Sequence, residues 1–420
     1  MKFASFIRTL CLVAFVALQA RAESFALKKG DRVVFYGDSI TDQRLYTTFT
    51  ETYVVTRFPK LDVNFVHSGW GGDRVTGGGG GPVDLRLRRD VFAYKPTMMT
   101  IMLGMNDGSY RAFDNAIFDT YAKGYQHIID SVKEALPGIR ITVIEPSPFD
   151  DVAQPPRFEG GYNAVLMRYS QFVKELAERE KLNVADLNSP IVAALEKAKA
   201  TDAEQAKKII PDRVHPGPGG HLLMAAELLK SWQAPALVSA VEIDASTKNV
   251  VEAKKTKVSE LKTGAEISWM QLDEALPMPV DLNDPIVALA VKSSDFIQAM
   301  DQQPLKVTGL SAANYTLKID GDEIGSFTKE QLAEGINLAT LPTPMAKQAA
   351  EVHKLTLQHN NIHFQRWRQI QVPLAEGNTP KVQAAVKDLM AAVDEEEAEV
   401  VKQQRAAAQP KRHQFQLVPK

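Results

Sequence analysis

Between residues 30 and 232, short apolar runs alternate with longer amphipathic stretches, and this alternation restricts the fold more than any other feature of the chain. Candidate strands lie at 32–37, 62–67, 97–103, 140–145 and 182–186. The segments between them, such as 163–181, carry helical periodicity. Parallel neighbours need crossovers long enough to hold a helix, so a β-α-β-α order builds a parallel sheet covered by helices on both faces. Open sheets of this kind place their functional site beyond the carboxyl ends of the strands. The chain puts small polar corners at those ends: Gly37-Asp38-Ser39, then "HSGWGG" at 67–72, "GMND" at 104–107 and "EPSPFD" at 145–150.

Composition narrows the function. The chain has 420 residues, a formal charge of -2 and no basic excess to hold a phosphate backbone, which argues against nucleic acid as a partner. Lys2 and Arg8 precede an apolar run from Leu10 to Leu18, and Ala20-Arg21-Ala22 follows as a small-x-small cleavage site. The run is short for a bilayer span, so residues 1–22 read as a signal peptide and the mature chain as periplasmic or secreted, with no stable membrane insertion after cleavage. The single cysteine, Cys11, lies inside that peptide. Thiol chemistry and cysteine-based zinc sites are thereby excluded from the mature chain, and no cofactor is expected.

After Trp232 the character changes. "APALVSAVEI" and "PIVALAVKSSDFI" read as strands, and 314–327 as a hairpin whose Asp320-Gly321 turn tolerates positive φ. Thr328 and Gln331 fit a capping box. Helical pattern runs from about 345 to 369 and from about 381 to 408, with the acidic run Glu395 to Glu399 as a solvated face. The expected organisation is a signal peptide at 1–22, a catalytic α/β domain at 23–236, a β-rich accessory module at 237–345 and a helical segment at 346–420. The run Gly77 to Gly81 reads as a mobile loop. His359 and His363 are four apart with no acidic neighbour in sequence, and read as surface or interface histidines rather than a metal pair. Trp367 reads as an aromatic buried between domains, with stacking on a sugar together with Arg366 and Arg368 as the alternative.

A serine hydroxyl becomes a useful nucleophile only when a base takes its proton, so Ser39 needs a histidine and an orienting carboxylate at the same sheet edge. "PDRVH" at 211–215 supplies both: Asp212 and His215 stand three apart, just ahead of an apolar helix. His221, further along, has no carboxylate three residues before it and is the weaker base. The negative oxygen of a tetrahedral intermediate needs donors, and the backbone N–H groups of Ser39 and Gly72 and the side-chain amide of Asn106 are the candidates. Trp70, Tyr110 and Tyr162 in the strand-end loops are candidates to stack on a sugar, with Asp38 as a further substrate-binding candidate. No P-loop, H-E-x-x-H or complete calcium loop is present.

Four blocks taken in order resemble the SGNH or GDSL-type hydrolases: "GDSIT" at 37–41, "GWGGD" at 69–73, "GMND" at 104–107 and "DRVH" at 212–215. The resemblance covers about residues 30–232 and implies a flavodoxin-like α/β/α fold. It also implies Ser39 as nucleophile, Gly72 and Asn106 completing the oxyanion hole, and Asp212 and His215 finishing the triad. Exported members often remove O-acetyl groups from polysaccharides, so a short-chain carbohydrate ester is the expected substrate. A lipase, lysophospholipase or thioesterase acting on acyl chains is the alternative, and a carbohydrate-binding or scaffold protein without catalysis a third. Oligomeric state is not legible in the sequence.

Overall fold

A computed structural model describes residues 25–264, 266–374 and 379–420. The expected signal peptide and Cys11 lie outside the described residues. Five parallel strands form the first sheet: β1 (Arg32–Gly37), β2 (Asn64–Gly69), β3 (Met98–Met102), β4 (Arg140–Ile144) and β5 (Asn183–Ala185). Their spatial order is β2-β1-β3-β4-β5, the flavodoxin-like winding, with helices on both faces. β1 is buried continuously from Val33 to Gly37, as a strand covered on both sides must be.

The winding order reverses beside β1, and the corner there is built by close packing. The short helix Ser39–Asp42 leaves β1 at Gly37, where a Cβ would lie 2.2 Å from Thr41 Oγ1 and 2.8 Å from Met102 O. It then crosses the end of β2 at Gly69, where a Cβ would lie 2.2 Å from Asp42 N. Only glycine lets three backbone segments meet this closely.

The second half forms two further sheets. An antiparallel five-stranded sheet contains β8 (Thr256–Thr263), β9 (Ile267–Asp273), β11 (Asn314–Ile319), β12 (Asp322–Thr328) and β14 (Arg412–Pro419), in the order β8-β9-β14-β11-β12. A four-stranded sheet has the order β13-β10-β6-β7, from β6 (Ala240–Asp244), β7 (Asn249–Lys254), β10 (Pro304–Thr308) and β13 (Ile336–Asn337). They share a core in which Trp269 stacks on Phe415 at 5.2 Å. The hairpin at 314–327 forms with Asp320 and Gly321 at positive φ, and Thr328 and Gln331 make the capping box.

Three expectations are corrected. "PIVALAVKSSDFI" forms the helices Pro285–Lys292 and Phe296–Met300, because Asp284 caps the first by accepting from Ile286 N and Val287 N, and Val287, Leu289 and Phe296 then enter the core of the catalytic domain. The boundary at 236/237 therefore divides a shared core. The segment 346–420 is not wholly helical: its last strand, β14, completes the five-stranded sheet between β9 and β11, a pairing its own local pattern does not reveal. The glycine run is a tight hairpin, Gly77–Gly78 against Gly81–Pro82, with Gly79 and Gly80 packed on Trp70.

The C-terminal helices Pro344–Phe364 and Pro380–Ala407 return to the first sheet. Pro344–Phe364 packs on helix Leu45–Arg57 and beside β2, covering an edge that would otherwise be open to pairing. Arg405 donates to the carbonyls of Leu61 (2.6 Å) and Val63.

Candidate active site

Ser39 is the first residue of the helix Ser39–Asp42, at the carboxyl end of β1. Asp38 caps that helix, its Oδ1 accepting from Ile40 N at 3.0 Å. The carboxyl is 1% exposed, and burial pushes it up to about 7. Asp38 thus holds the backbone of the helix that begins with Ser39 and is not presented to a substrate, which corrects its sequence assignment.

His215 reaches the same point from a loop ahead of helix Pro218–Ser231. Its Nε2 stands 2.7 Å from Ser39 Oγ, and its Nδ1 stands 2.7 Å from Asp212 Oδ2. With Nδ1–H donating to Asp212, Nε2 is left to accept the serine proton. Asp212 Oδ1 in turn accepts from the backbone N–H groups of Val214 (2.9 Å) and His215 (2.7 Å). Partial burial works to raise the Asp212 carboxyl, but donation from His215 and Val214 outweighs it and holds the group below the ordinary carboxylate value. Arg213 adopts φ 76 between the two, so that the loop can turn both side chains to one side. His221 lies apart from this arrangement: it is fully buried, its Nε2 pairs with Gln43 Oε1 at 3.0 Å, and burial pushes its ring down to about 3.

The residues expected to donate to an oxyanion belong to two turns. Trp70 to Asp73 form one, closed by Asp73 N–H donating to Trp70 O at 3.1 Å, with Gly72 at its third position and φ +78. Gly71 N–H donates to Asp42 Oδ2 at 3.1 Å. Among the hydrogen bonds of the described residues none uses the Gly72 N–H. Asn106 is held at both ends of its amide: Nδ2 donates to Asp73 O at 3.0 Å, and Oδ1 accepts from the Tyr110 hydroxyl at 2.8 Å. Ser109 and Tyr110 both take positive φ to bring that hydroxyl back onto Asn106. The next residue, Asp107, is buried and pushed up to about 7, and its Oδ1 accepts from Val75 N at 2.9 Å, which ties the two turns together.

Of the aromatics read as sugar-stacking candidates, Tyr110 is the one with an accessible ring, 39% exposed. Tyr162 is 1% exposed, donates to Met105 O at 2.6 Å and packs against Tyr110 and Phe149, so it has no free face. Trp70 is half-buried, and the guanidinium of Arg368 lies 3.1 Å from its ring centroid. Arg368 comes from the C-terminal half, where the sequence marks it only as a neighbour of Trp367. Beneath Trp70, the buried Arg86 bridges Asp73 (2.7 Å) and Asp90 and donates to Ser68 O at 2.7 Å. Trp367 is buried as expected, its indole donating to Asp90 Oδ1 at 2.6 Å and its ring edge-on to Trp70.

His359 and His363 are buried, not on the surface, and face carboxylates from distant segments. His359 Nδ1 meets Glu51 Oε1 at 3.0 Å and its Nε2 meets Glu397 Oε1 at 3.1 Å. Glu397 therefore turns inward from the acidic run, while its neighbours stay solvated. Among the described residues no group of three or more His, Cys, Asp or Glu side chains is arranged to hold a metal ion.

Residues 35–223 match the GDSL-like lipase/acylhydrolase family. The chain is 26% identical over 230 residues to an acetylxylan esterase of Geobacillus stearothermophilus, a match spanning 48% of this chain and 93% of the relative. Among solved structures, a gut microbial diltiazem-metabolizing enzyme superposes with a TM-score of 0.81 at 28% identity, over 95% of this chain and 99% of that one. The likeness to that enzyme extends through the C-terminal half as well as the catalytic domain.

Proposed function

The chain belongs to the SGNH or GDSL-like ester hydrolases, and from that premise we propose that it is an exported esterase that removes short acyl groups, foremost acetyl, from carbohydrates. The observation that carries the mechanism is the continuous contact Ser39 Oγ, His215 Nε2, His215 Nδ1, Asp212 Oδ2, with 2.7 Å at both hydrogen bonds. Ser39 Oγ attacks the ester carbonyl carbon as His215 Nε2 takes its proton. The oxyanion accepts from the N–H groups of Ser39 and Gly72 and from the remaining Nδ2 hydrogen of Asn106. His215 then gives its proton to the leaving alcohol, and a water activated by the same nitrogen releases the acid from Ser39. Asp212 stays ionised throughout and stabilises the imidazolium.

The alcohol is assigned to a sugar because the catalytic domain is similar to an acetylxylan esterase and because Tyr110, whose hydroxyl holds Asn106, leaves its ring accessible. A long acyl chain gains about 0.8 kcal/mol per buried CH₂ only where a continuous apolar tunnel receives it. kcat/KM for p-nitrophenyl acetate, butyrate, octanoate and palmitate should fall with chain length, and acetylated xylo-oligosaccharides should release acetate. A maximum at octanoate or palmitate would instead establish the acyl-chain reading.

A further inference from the structure

The helix that carries the nucleophile is braced from the far half of the chain. At its end, Asp42 Oδ2 accepts from Gly71 N–H at 3.1 Å, and Arg368 Nη2 stands 3.6 Å from the same oxygen. Arg44, two residues on, holds φ 60, donates from Nε to Asp42 O at 3.3 Å and reaches from Nη1 to Asn360 O at 3.2 Å. Its guanidinium covers the Phe364 ring at 4.2 Å. Two arginines therefore cross in opposite directions over Asp42, one leaving the catalytic domain and one entering it.

Arg368 sits in a π-helical stretch, Gln365–Gln371, that continues helix Pro344–Phe364. Such widened turns are uncommon and are found frequently at functional sites. This one sets Trp367 edge-on to Trp70 and lays the Arg368 guanidinium flat on it. Trp70 opens the turn that contains Gly72. In that turn Asp73 N–H is tied to Trp70 O and Gly71 N–H to Asp42, which leaves the Gly72 N–H as the amide aimed outward.

We propose that Arg368 is a positioning residue for hydrolysis: by holding Trp70 and Asp42 together it fixes the Gly71 peptide, and so the direction in which the Gly72 N–H meets the oxyanion. The proposal rests on the reading of Gly72 as an oxyanion donor. An oxyanion donor that swings freely must be oriented anew in each transition state, so loss of the brace lowers kcat while leaving ground-state binding largely intact.

The experiment is a steady-state comparison on p-nitrophenyl acetate using the full-length protein, with thermal unfolding recorded for every variant. Arg368→Ala should lower kcat about 10- to 100-fold with KM within about threefold. Arg368→Lys, which keeps the charge but not the planar stack, should fall between. Asp42→Ala should produce a similar loss, and the double variant should be no worse than the weaker single variant, because both remove one relay. Guanidinium ion at non-denaturing concentration should restore part of the Arg368→Ala rate. If Arg368→Ala does not fold, Arg368→Lys and Asp42→Asn carry the same comparison. A kcat within about twofold of wild type in the folded Arg368 variants, a change confined to KM, or fully multiplicative losses in the double variant would overturn the proposal. A wild-type enzyme active on p-nitrophenyl acetate but inert toward acetylated sugars would refute only the substrate reading. If Gly72 is not a donor, Arg368→Ala and Asp42→Ala would leave kcat unchanged while Asn106→Ala still lowered it.

Discussion

A hydroxyl attacks only as readily as its proton leaves, and at Ser39 the acceptor stands 2.7 Å away with its tautomer set by Asp212. Ser39→Ala and His215→Ala should each remove nearly all turnover of short p-nitrophenyl esters, with retained circular dichroism to show that the fold survives. Asn106→Ala should cost about 10²- to 10³-fold in kcat, the loss expected for one oxyanion donor. Tyr110→Phe removes only the hydroxyl that holds Asn106 Oδ1 and should cost about tenfold, with a smaller effect on KM. An equal loss in the Tyr110 and Asn106 variants would mean that Tyr110 itself touches the reacting oxygen. His221→Ala should leave the chemistry nearly unchanged, since that ring faces Gln43 and Tyr46. The four sequence blocks placed Ser39, Gly72 and Asn106 after strands and Asp212 and His215 ahead of a helix because each block is local and its residue types suit the chemistry expected of it. Asp38 and Tyr162 escaped that reading: Asp38 stands beside Ser39 and Tyr162 stands at the start of the helix Gly161–Glu180, and only packing decides that their side chains point inward.

At the scale of single elements, the corner between β1, helix Ser39–Asp42 and β2 leaves no room for a side chain at Gly37 or Gly69. Gly69→Ala should destabilise by about 3 kcal/mol, because the new methyl would overlap the backbone of Asp42 and the helix cannot withdraw without displacing Ser39. Denaturant unfolding measures this, and a loss under about 1 kcal/mol would show that the corner relaxes. Helix Pro344–Phe364 makes a different prediction. Burial opposes charge on His359, but Glu51 and Glu397 outweigh it and raise the ring well above its ordinary 6.5. Gln404 Nε2 donates to Glu51, His67 faces Glu51 from β2, and His363 faces Glu397, so these groups complete the cluster. A raised histidine stabilises fully below its unfolded value and loses that contribution as pH climbs through the folded value. Wild-type stability should therefore decline from about pH 7 towards about pH 10 more steeply than that of His359→Gln. Parallel curves would show that the ring is neutral in the folded protein.

At the scale of the whole molecule, the two halves share buried surface. Val287, Leu289, Phe296 and Met300 enter the first core, and the buried Arg57 ties helix Leu45–Arg57 to Pro235 O, Ala236 O and Asp301. A 23–236 fragment would expose that apolar surface and leave the buried Arg57 without its carboxylate partner Asp301, so it should aggregate where the full chain stays monodisperse by size-exclusion chromatography. A folded, monodisperse fragment would show that the halves are separable. Chelation should leave full-chain activity intact, since the five groups assigned to the chemistry are all protein groups. Loss with EDTA and recovery with zinc or calcium would oppose that assignment.

The parallel first sheet and the composition of its polar corners were legible because α/β architecture is encoded in local periodicity, whereas the winding order came with the family resemblance, whose contiguous blocks also supplied the candidate nucleophile, base and donors. The second half resisted such a reading for a physical reason. Its strands pair across long separations, with β14 from the chain end set between β9 and β11, and its apolar helix Pro285–Lys292 carries the same short hydrophobic run that a buried strand would. Asp42 directly follows the block "GDSIT", but its partner Arg368 lies in the other half of the chain, where the sequence marks it only as a neighbour of Trp367. Sequence determines which groups can do the chemistry; only tertiary packing decides which buried side chains hold them still, because that choice depends on contacts between segments that carry no local sign of each other.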